Sequence, residues 1–299
     1  MTTFARAAGG MGAALLAGTA CVAVPAEAAV RRQHFVAVPC SPAALAGAIG
    51  TANATPSLLR LAPSCTYLIT TALPQVTGAI TLLGGPSTSI KRSPSTLDTR
   101  LLDVAAGGRL RVWGITLLNG GTTTAPGGGI RNAGTLVLDH VTLSGNTALD
   151  NNGGALENTG TALVAHSVLA ANATRGPVGD RDGGAIHNDG TLTVFASRLY
   201  GNIAVRDGGA LFTTAGHTTR VIRSTISGNT AANLGGGIAN SGTTTLTRTL
   251  VRFNQAIGNA TDGGGVQNAA GTVTLRGSLV TTNSPGNCAP ANSVPGCSG

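Results

Sequence analysis

Three residues at one recurring position have the types needed for proton transfer. Arg131, Glu157 and His187 each stand between an aliphatic residue and a polar partner: Ile130-Arg131-Asn132, Leu156-Glu157-Asn158 and Ile186-His187-Asn188. Registered copy on copy, the position runs Arg131, Glu157, His187, Phe212, Ala239, Gln267 and should point away from the core. On adjacent strands about 4.8 Å apart, a carboxylate beside a cation keeps its charge, and a neighbouring histidine serves as acid or base near neutral pH. The competing assignment, which the sequence favours, is a charge-complementary ladder between strands worth roughly a few tenths of a kcal/mol. A second set, Asn152, Asp182, Asp207 and Asp262, immediately precedes a double glycine. Paired carboxylates there suit hydrolysis of a glycosidic bond or calcium binding. An Asx turn entering Gly-Gly explains the same recurrence without a substrate. A third column, His140, His166, Ala196, Arg223 and Arg248, offers two stacked imidazoles but registers no third ligand, so no metal site is expected. His217 stands alone in an inserted loop.

These residues are positioned by a repeat. After residue 112 the chain writes Gly-Gly, an aliphatic, any residue, Asn, then Gly-Thr, an alternating strand and a closing Asn. Copies open at Gly128, Gly153, Gly183, Gly208, Gly235 and Gly263, and close at Asn146, Asn172, Asn202, Asn229, Asn254 and Asn283, 26, 30, 27, 25 and 29 residues apart. A period of this size marks a solenoid, in which each unit buries its apolar face against its neighbours. Ile186, Leu192, Val194 and Leu199 alternate with polar residues, the period of a half-buried strand. Asp-Gly and Gly-Asn mark the corners. The expected fold is all-β: a right-handed parallel β-helix with three strands per coil, right-handed crossover being the default. The Asn column Asn132, Asn158, Asn188, Asn240 and Asn268, broken by Thr213, reads as an internal amide ladder. So do the closing asparagines, and the small residues Ser167, Ser197, Ser224, Thr249 and Ser278 read as structural too.

Residues 1–28 read as an export signal: Arg6, an apolar stretch from Met11 to Val24, and the Ala26-Glu27-Ala28 cleavage site. Residues 29–57 form the expected N-terminal cap, with a helix over 41–55 that has Ser41 as N-cap and Pro42 at its first position. The β-helix occupies 58–287, and 288–299 form a closing tail. Four cysteines remain after export. In a solenoid the ends stay apart, so Cys40 pairs with Cys65 and Cys288 with Cys297, each bridge contributing about 2–3 kcal/mol. Export and disulfides place the protein outside the cell, with no membrane span and as a monomer.

Charged residues make up 10% of the 299-residue chain, against about 25% in an ordinary domain. The formal net charge is +8, which favours acidic partners such as an anionic polysaccharide or cell-wall polymer. The arginines are scattered along the chain without interleaved aromatics, which argues against nucleic acid.

The sequence Gly-Gly-Ala-Ile-His-Asn followed by Ser-Gly-Asn closings resembles secreted bacterial right-handed parallel β-helix proteins. It is similar to the repeats of chlamydial polymorphic outer-membrane proteins, without their membrane barrel, and to exported actinobacterial β-helix proteins with a cysteine-bounded cap. The resemblance covers residues 40–299 and implies a pectate lyase-like fold, a scaffold shared by enzymes, adhesins and structural proteins. The acidic motifs of polygalacturonases and the calcium and arginine set of pectate lyases are not recognisable. Trp113, Phe195 and the other aromatics register into no outward sugar platform. The expectation is therefore a non-catalytic surface or extracellular protein with a binding or structural role and no cofactor. The alternative is a carbohydrate-active lyase or hydrolase using Glu157 and His187 with Arg131, or Asp182 and Asp207, with Ca2+ as the ion a lyase would bring.

Overall fold

The structure, a computed structural model, describes residues 34–177 and 181–297. The expected export signal lies outside the described residues. The chain forms a parallel β-helix whose coils stack into sheets of ten, nine, eight and six strands. One coil illustrates all four: Thr191–Phe195 lies on the ten-stranded face, Arg198–Tyr200 on the nine-stranded, Ile203–Ala204 on the six-stranded and Leu211–Thr213 on the eight-stranded. Four faces replace the expected three, because the residues after each closing Asn pair with those of the next coil (Thr147 with Ala173, Ile203 with Thr230).

Alternation builds the core. Val112, Leu138, Val164, Val194, Val221 and Leu246 stand in register on the ten-stranded face, and all are fully buried. Stacking like on like removes their surfaces from water at about 25 cal/mol per Å2. Three polar columns hold the register. Along the closing asparagines, each Nδ2 donates to the Oδ1 of the next coil's Asn, from Asn146 through Asn172, Asn202, Asn229 and Asn254 to Asn283, at 2.8–3.0 Å. Gly120, standing where an Asn is missing, starts the ladder by donating its N–H to Asn146 Oδ1 at 2.8 Å. In the inner Asn column the gap at Thr213 is bridged by Thr219, whose hydroxyl accepts from Asn188 Nδ2 at 3.0 Å and meets Thr213 Oγ1 at 2.8 Å. The hydroxyls of Ser167, Ser197, Ser224, Thr249 and Ser278 each accept a backbone N–H from the preceding coil.

The corners explain the glycines. Gly127, Gly153, Gly183, Gly208 and Gly235 take a left-handed backbone at this corner, φ 65° at Gly183. The glycine that follows has no room for a side chain: a Cβ on Gly184 would stand 2.3 Å from Gly209 O and 2.5 Å from the Ile203 carbonyl. The corner between the ten- and nine-stranded faces is left-handed too, but there the chain uses His140, His166, Ala196, Arg223 and Arg248, with φ from 46° to 55°. Non-glycine residues pay about 1–2 kcal/mol for that conformation. At the next corner the residue before the closing asparagine is left-handed, among others Gly145, Ala171 and Gly201, as is Asn119 before Gly120.

The ends are closed differently. The helix Pro42–Ala52, with Ser41 as N-cap, lays Leu45, Ile49 and Ala52 over the first coils. The cap region also holds His34–Val38, the first strand of the ten-stranded face. Cys40 is bonded to Cys65 and Cys288 to Cys297, with Cα atoms 5.8 and 6.2 Å apart. Gly286–Ala289 adds the last strand to the eight-stranded face and so runs through the boundary expected at residue 287. Among the described residues no helix is long and apolar enough to cross a membrane.

Three substitutions check this account by denaturation midpoint. Asn202→Ala strips the Asn172 backbone and side-chain donors of their acceptor and should cost about 3 kcal/mol. Gly184→Ala should cost about 2–3 kcal/mol through its backbone clash. Ala196→Gly should stabilise by about 0.5–1 kcal/mol by removing a left-handed alanine.

Candidate functional site

The eight-stranded face brings the first candidate column together in the expected register. Arg131 is opposite Glu157, Glu157 opposite His187, and His187 opposite Phe212. The column extends one coil further back, to Asp103. Arg131 turns that way: its Nε lies 3.2 Å from Asp103 Oδ1. Arg100, three residues before Asp103, takes the other carboxylate oxygen at 3.0 Å.

Glu157 and His187 form a tight pair. His187 Nδ1 stands 3.2 Å from Glu157 Oε1 and 3.1 Å from Oε2, and 3.7 Å from Asp189 Oδ2. The Phe212 ring stacks on the imidazole, centroids 5.3 Å apart and planes 2° from parallel. The pair leaves the sheet on its outer side, alternating with the core-facing Leu156 and Asn158, yet each residue is only 4% exposed. The glycine corner runs close to both: a Cβ on Gly127 would fall 3.0 Å from Glu157 Cβ, and one on Gly183 2.7 Å from the His187 backbone nitrogen. Burial alone would lower the His187 pKa. The hydrogen bond to Glu157 and the charges of Glu157, Asp189 and Asp182 outweigh it, so the pKa is raised.

The second set also stacks, in the opposite sense to the asparagines. Asp182 N–H donates to Asn152 Oδ1 at 2.9 Å, Asp207 N–H to Asp182 Oδ1 at 3.1 Å, and Leu234 N–H to Asp207 Oδ1 at 2.9 Å. Arg206 Nε sits between the two carboxylates, 3.1 Å from Asp182 and 3.3 Å from Asp207. Burial pushes the Asp182 carboxyl up to about 6; Arg206 opposes the shift and Asp207 adds to it. Asp262 departs from the column, its Oδ2 accepting the N–H of Asn259 in a local turn.

The third column holds what the sequence reading missed. Asp139, one residue before His140, brings a carboxylate beside the two imidazoles, a third potential donor that no residue of the column itself provides. Its Oδ1 accepts from His140 Nδ1 at 2.9 Å and from His166 Nδ1 at 3.0 Å. The His166 hydrogen bond, aided by that of His140, holds the Asp139 carboxyl below its ordinary value against its burial. The two imidazoles stack at 4.9 Å and fill the gap between Trp113 and Phe195, giving a run of four rings along the corner. Trp113 and Phe195 share one strand column, three coils apart, with Asp139 and Ala165 between them. Farther along the same corner stand Arg223 and Arg248, both exposed, with Arg248 N–H bonded to the Arg276 carbonyl. Arginines scattered in sequence are thus stacked in space. The signal was present in the sequence, since Asp139-His140 and His166 are one coil apart; it is hidden when residues are compared only at equal repeat positions.

Comparison of the chain with protein-family models, with curated proteins and with solved structures returns no match. The fold and the geometry of these columns therefore carry the functional argument.

The raised Asp182 pKa gives a prediction. A carboxyl whose folded pKa exceeds its unfolded value binds the extra proton in the folded state. Stability then falls as pH rises from 3.8 to about 6, by about 3 kcal/mol. His187, also raised, contributes stability below its ordinary value of 6.5 that is lost as pH rises through the folded pKa. Asn152 shows that an amide fits the position, so Asp182→Asn should raise the denaturation midpoint at pH 7 and flatten its dependence between pH 4 and 6. A lower midpoint at pH 7 would contradict this account.

Proposed function

We propose that this chain is an exported, non-catalytic extracellular or surface protein whose β-helix is a scaffold for binding an anionic polysaccharide or cell-wall polymer. The observation that carries the reading is the state of the acid–base candidates. Glu157 and His187 are buried against each other, and Asp182 and Asp207 cap the backbone of the next coil. Groups engaged in this way serve the stack and are withheld from a substrate. The two disulfides and the Ala26-Glu27-Ala28 site support export.

The arginines support the partner class. Beyond residue 207 the chain carries five arginines and one acidic side chain, Asp262. Arg223, Arg248, Arg252 and Arg276 are exposed. Among the described residues, none of the four makes an ion pair. Arg223 and Arg248 share one corner column and Arg276 borders it on the next coil, a spacing that complements a polymer with regularly spaced negative charges. One observation favours the rival enzyme: an acid with its pKa near 6, beside a second carboxylate, suits a glycoside hydrolase or lyase.

Both readings meet one experiment. The purified chain is incubated with acidic and neutral polysaccharides, with and without Ca2+, and assayed for new reducing ends, unsaturated products and co-sedimentation. We expect co-sedimentation with acidic polymers that weakens with salt and falls sharply in the triple variant Arg223→Gln, Arg248→Gln, Arg276→Gln, without product formation. Product formation lost in Glu157→Gln or Asp182→Asn would replace the scaffold by the enzyme.

A further inference from the structure

The corner joining the ten- and nine-stranded faces presents a constellation that the binding reading does not use. Asp139 Oδ1, a His140 nitrogen and a His166 nitrogen all lie within 4.8 Å of one another. We infer that Asp139, His140 and His166 form a surface site for a borderline divalent transition-metal cation, the class of Zn2+, Cu2+ and Ni2+.

Donor spacing is the first support. Metal–ligand bonds of about 2.0–2.1 Å in a tetrahedral site separate the donors by about 3.3 Å. The Oδ1–Nδ1 distances of 2.9 and 3.0 Å come close to that, so a cation can take the place of the two shared protons, each neutral imidazole then binding through Nδ1 with its one proton on Nε2. Donor type is the second. Two imidazoles and one carboxylate select borderline transition metals, whereas Ca2+ and Mg2+ ask for oxygen ligands.

Rigidity and access follow from the fold. The histidines lie on successive coils, each fixed in a left-handed backbone, and their rings are held between Trp113 and Phe195. Arg111 Nη2 lies 3.5 Å from the second carboxylate oxygen, Oδ2. It holds the group so that Oδ1 is the donor, as outer partners of ligands commonly do. The imidazole side chains are 57% and 45% exposed, so a cation has an entry path and open positions for water or a second ligand. The buried cluster Glu157, His187 and Asp189 satisfies the same spacing, but its first two members are 4% exposed and offer no such path.

Trp113, the single tryptophan, has its ring 5.9 Å from that of His140 and reports on the site. The experiment is a fluorescence titration of the untagged chain with Cu2+, followed by competition with Zn2+ and with Ca2+. Saturable quenching at one equivalent is expected, reversed by Zn2+ and unaffected by excess Ca2+. His140→Gly, His166→Gly and Asp139→Asn should each weaken it by at least about tenfold. His34→Asn and His217→Asn should leave it intact. Glycine is the safe replacement, because Gly277 takes the same left-handed corner after Arg276. Absence of saturable quenching would overturn the inference. So would quenching that persists in the His140→Gly, His166→Gly double variant with its circular dichroism unchanged, or that is lost instead in His187→Asn.

Discussion

At the corner that follows the nine-stranded face, every coil must turn while its peptide groups are shut off from water. The stacked asparagine amides meet that requirement. Asn172 shows the full set of bonds: its Oδ1 accepts both the backbone and the side-chain N–H of Asn146, and its Nδ2 donates forward to Asn202 and back to the Leu143 carbonyl. No buried donor on that side chain is left over, and an unpaired one would cost about 1–3 kcal/mol. A slip of one residue between coils would unmake all four bonds and turn every strand inside out. The ladder thus sets the register, and the register places Glu157 beside His187 and His140 beside His166.

Given that register, the faces divide the work. On the eight-stranded face and its glycine corner Glu157, His187, Asp182 and Asp207 are buried and must find partners within the stack. Arg131 takes Asp103, Glu157 takes His187, and Arg206 spans Asp182 and Asp207. At the opposite kind of corner, after the ten-stranded face, the left-handed residue projects outward. The backbone there is the same whether the residue is His166, Ala196 or Arg223. That position can change chemistry from coil to coil without disturbing the core.

This division also explains what could be read in the sequence. The coils, the amide ladders, the helix behind Ser41 and both disulfides were legible, because translation along one axis makes residues of equal repeat position neighbours. The pairing of Glu157 with His187 followed from the same rule. Its burial did not, since that depends on how near Gly183 passes to the strand, a distance no periodicity encodes. The fourth face escaped notice because its strands are only two or three residues long and sit beside loops of variable length. Asp139 escaped for a different reason. It belongs to the strand column of Trp113 and Ala165, while its carboxylate reaches around the corner into the column of His140 and His166. Contacts between columns are invisible to a column-by-column reading.

The same geometry weighs the functional readings against each other. For Glu157 or His187 to meet a polymer, the glycine turn above them would have to lift away. That turn is tied to its neighbour by the bonds from Gly183 N–H to Asp207 O and from Gly184 N–H to Gly208 O, at 2.9 and 3.0 Å, and the neighbouring coils repeat such ties. Lifting one turn therefore exposes amides on two coils and strands a buried ion pair, a penalty of several kcal/mol before any substrate is bound. The arginine corner needs no such rearrangement. Its side chains already stand in water, so an anionic chain laid along the axis meets them with the backbone at rest. Under the proposed reading the stack holds its partner through these displayed cations, while Glu157, His187, Asp182 and Asp207 stay buried within the coils.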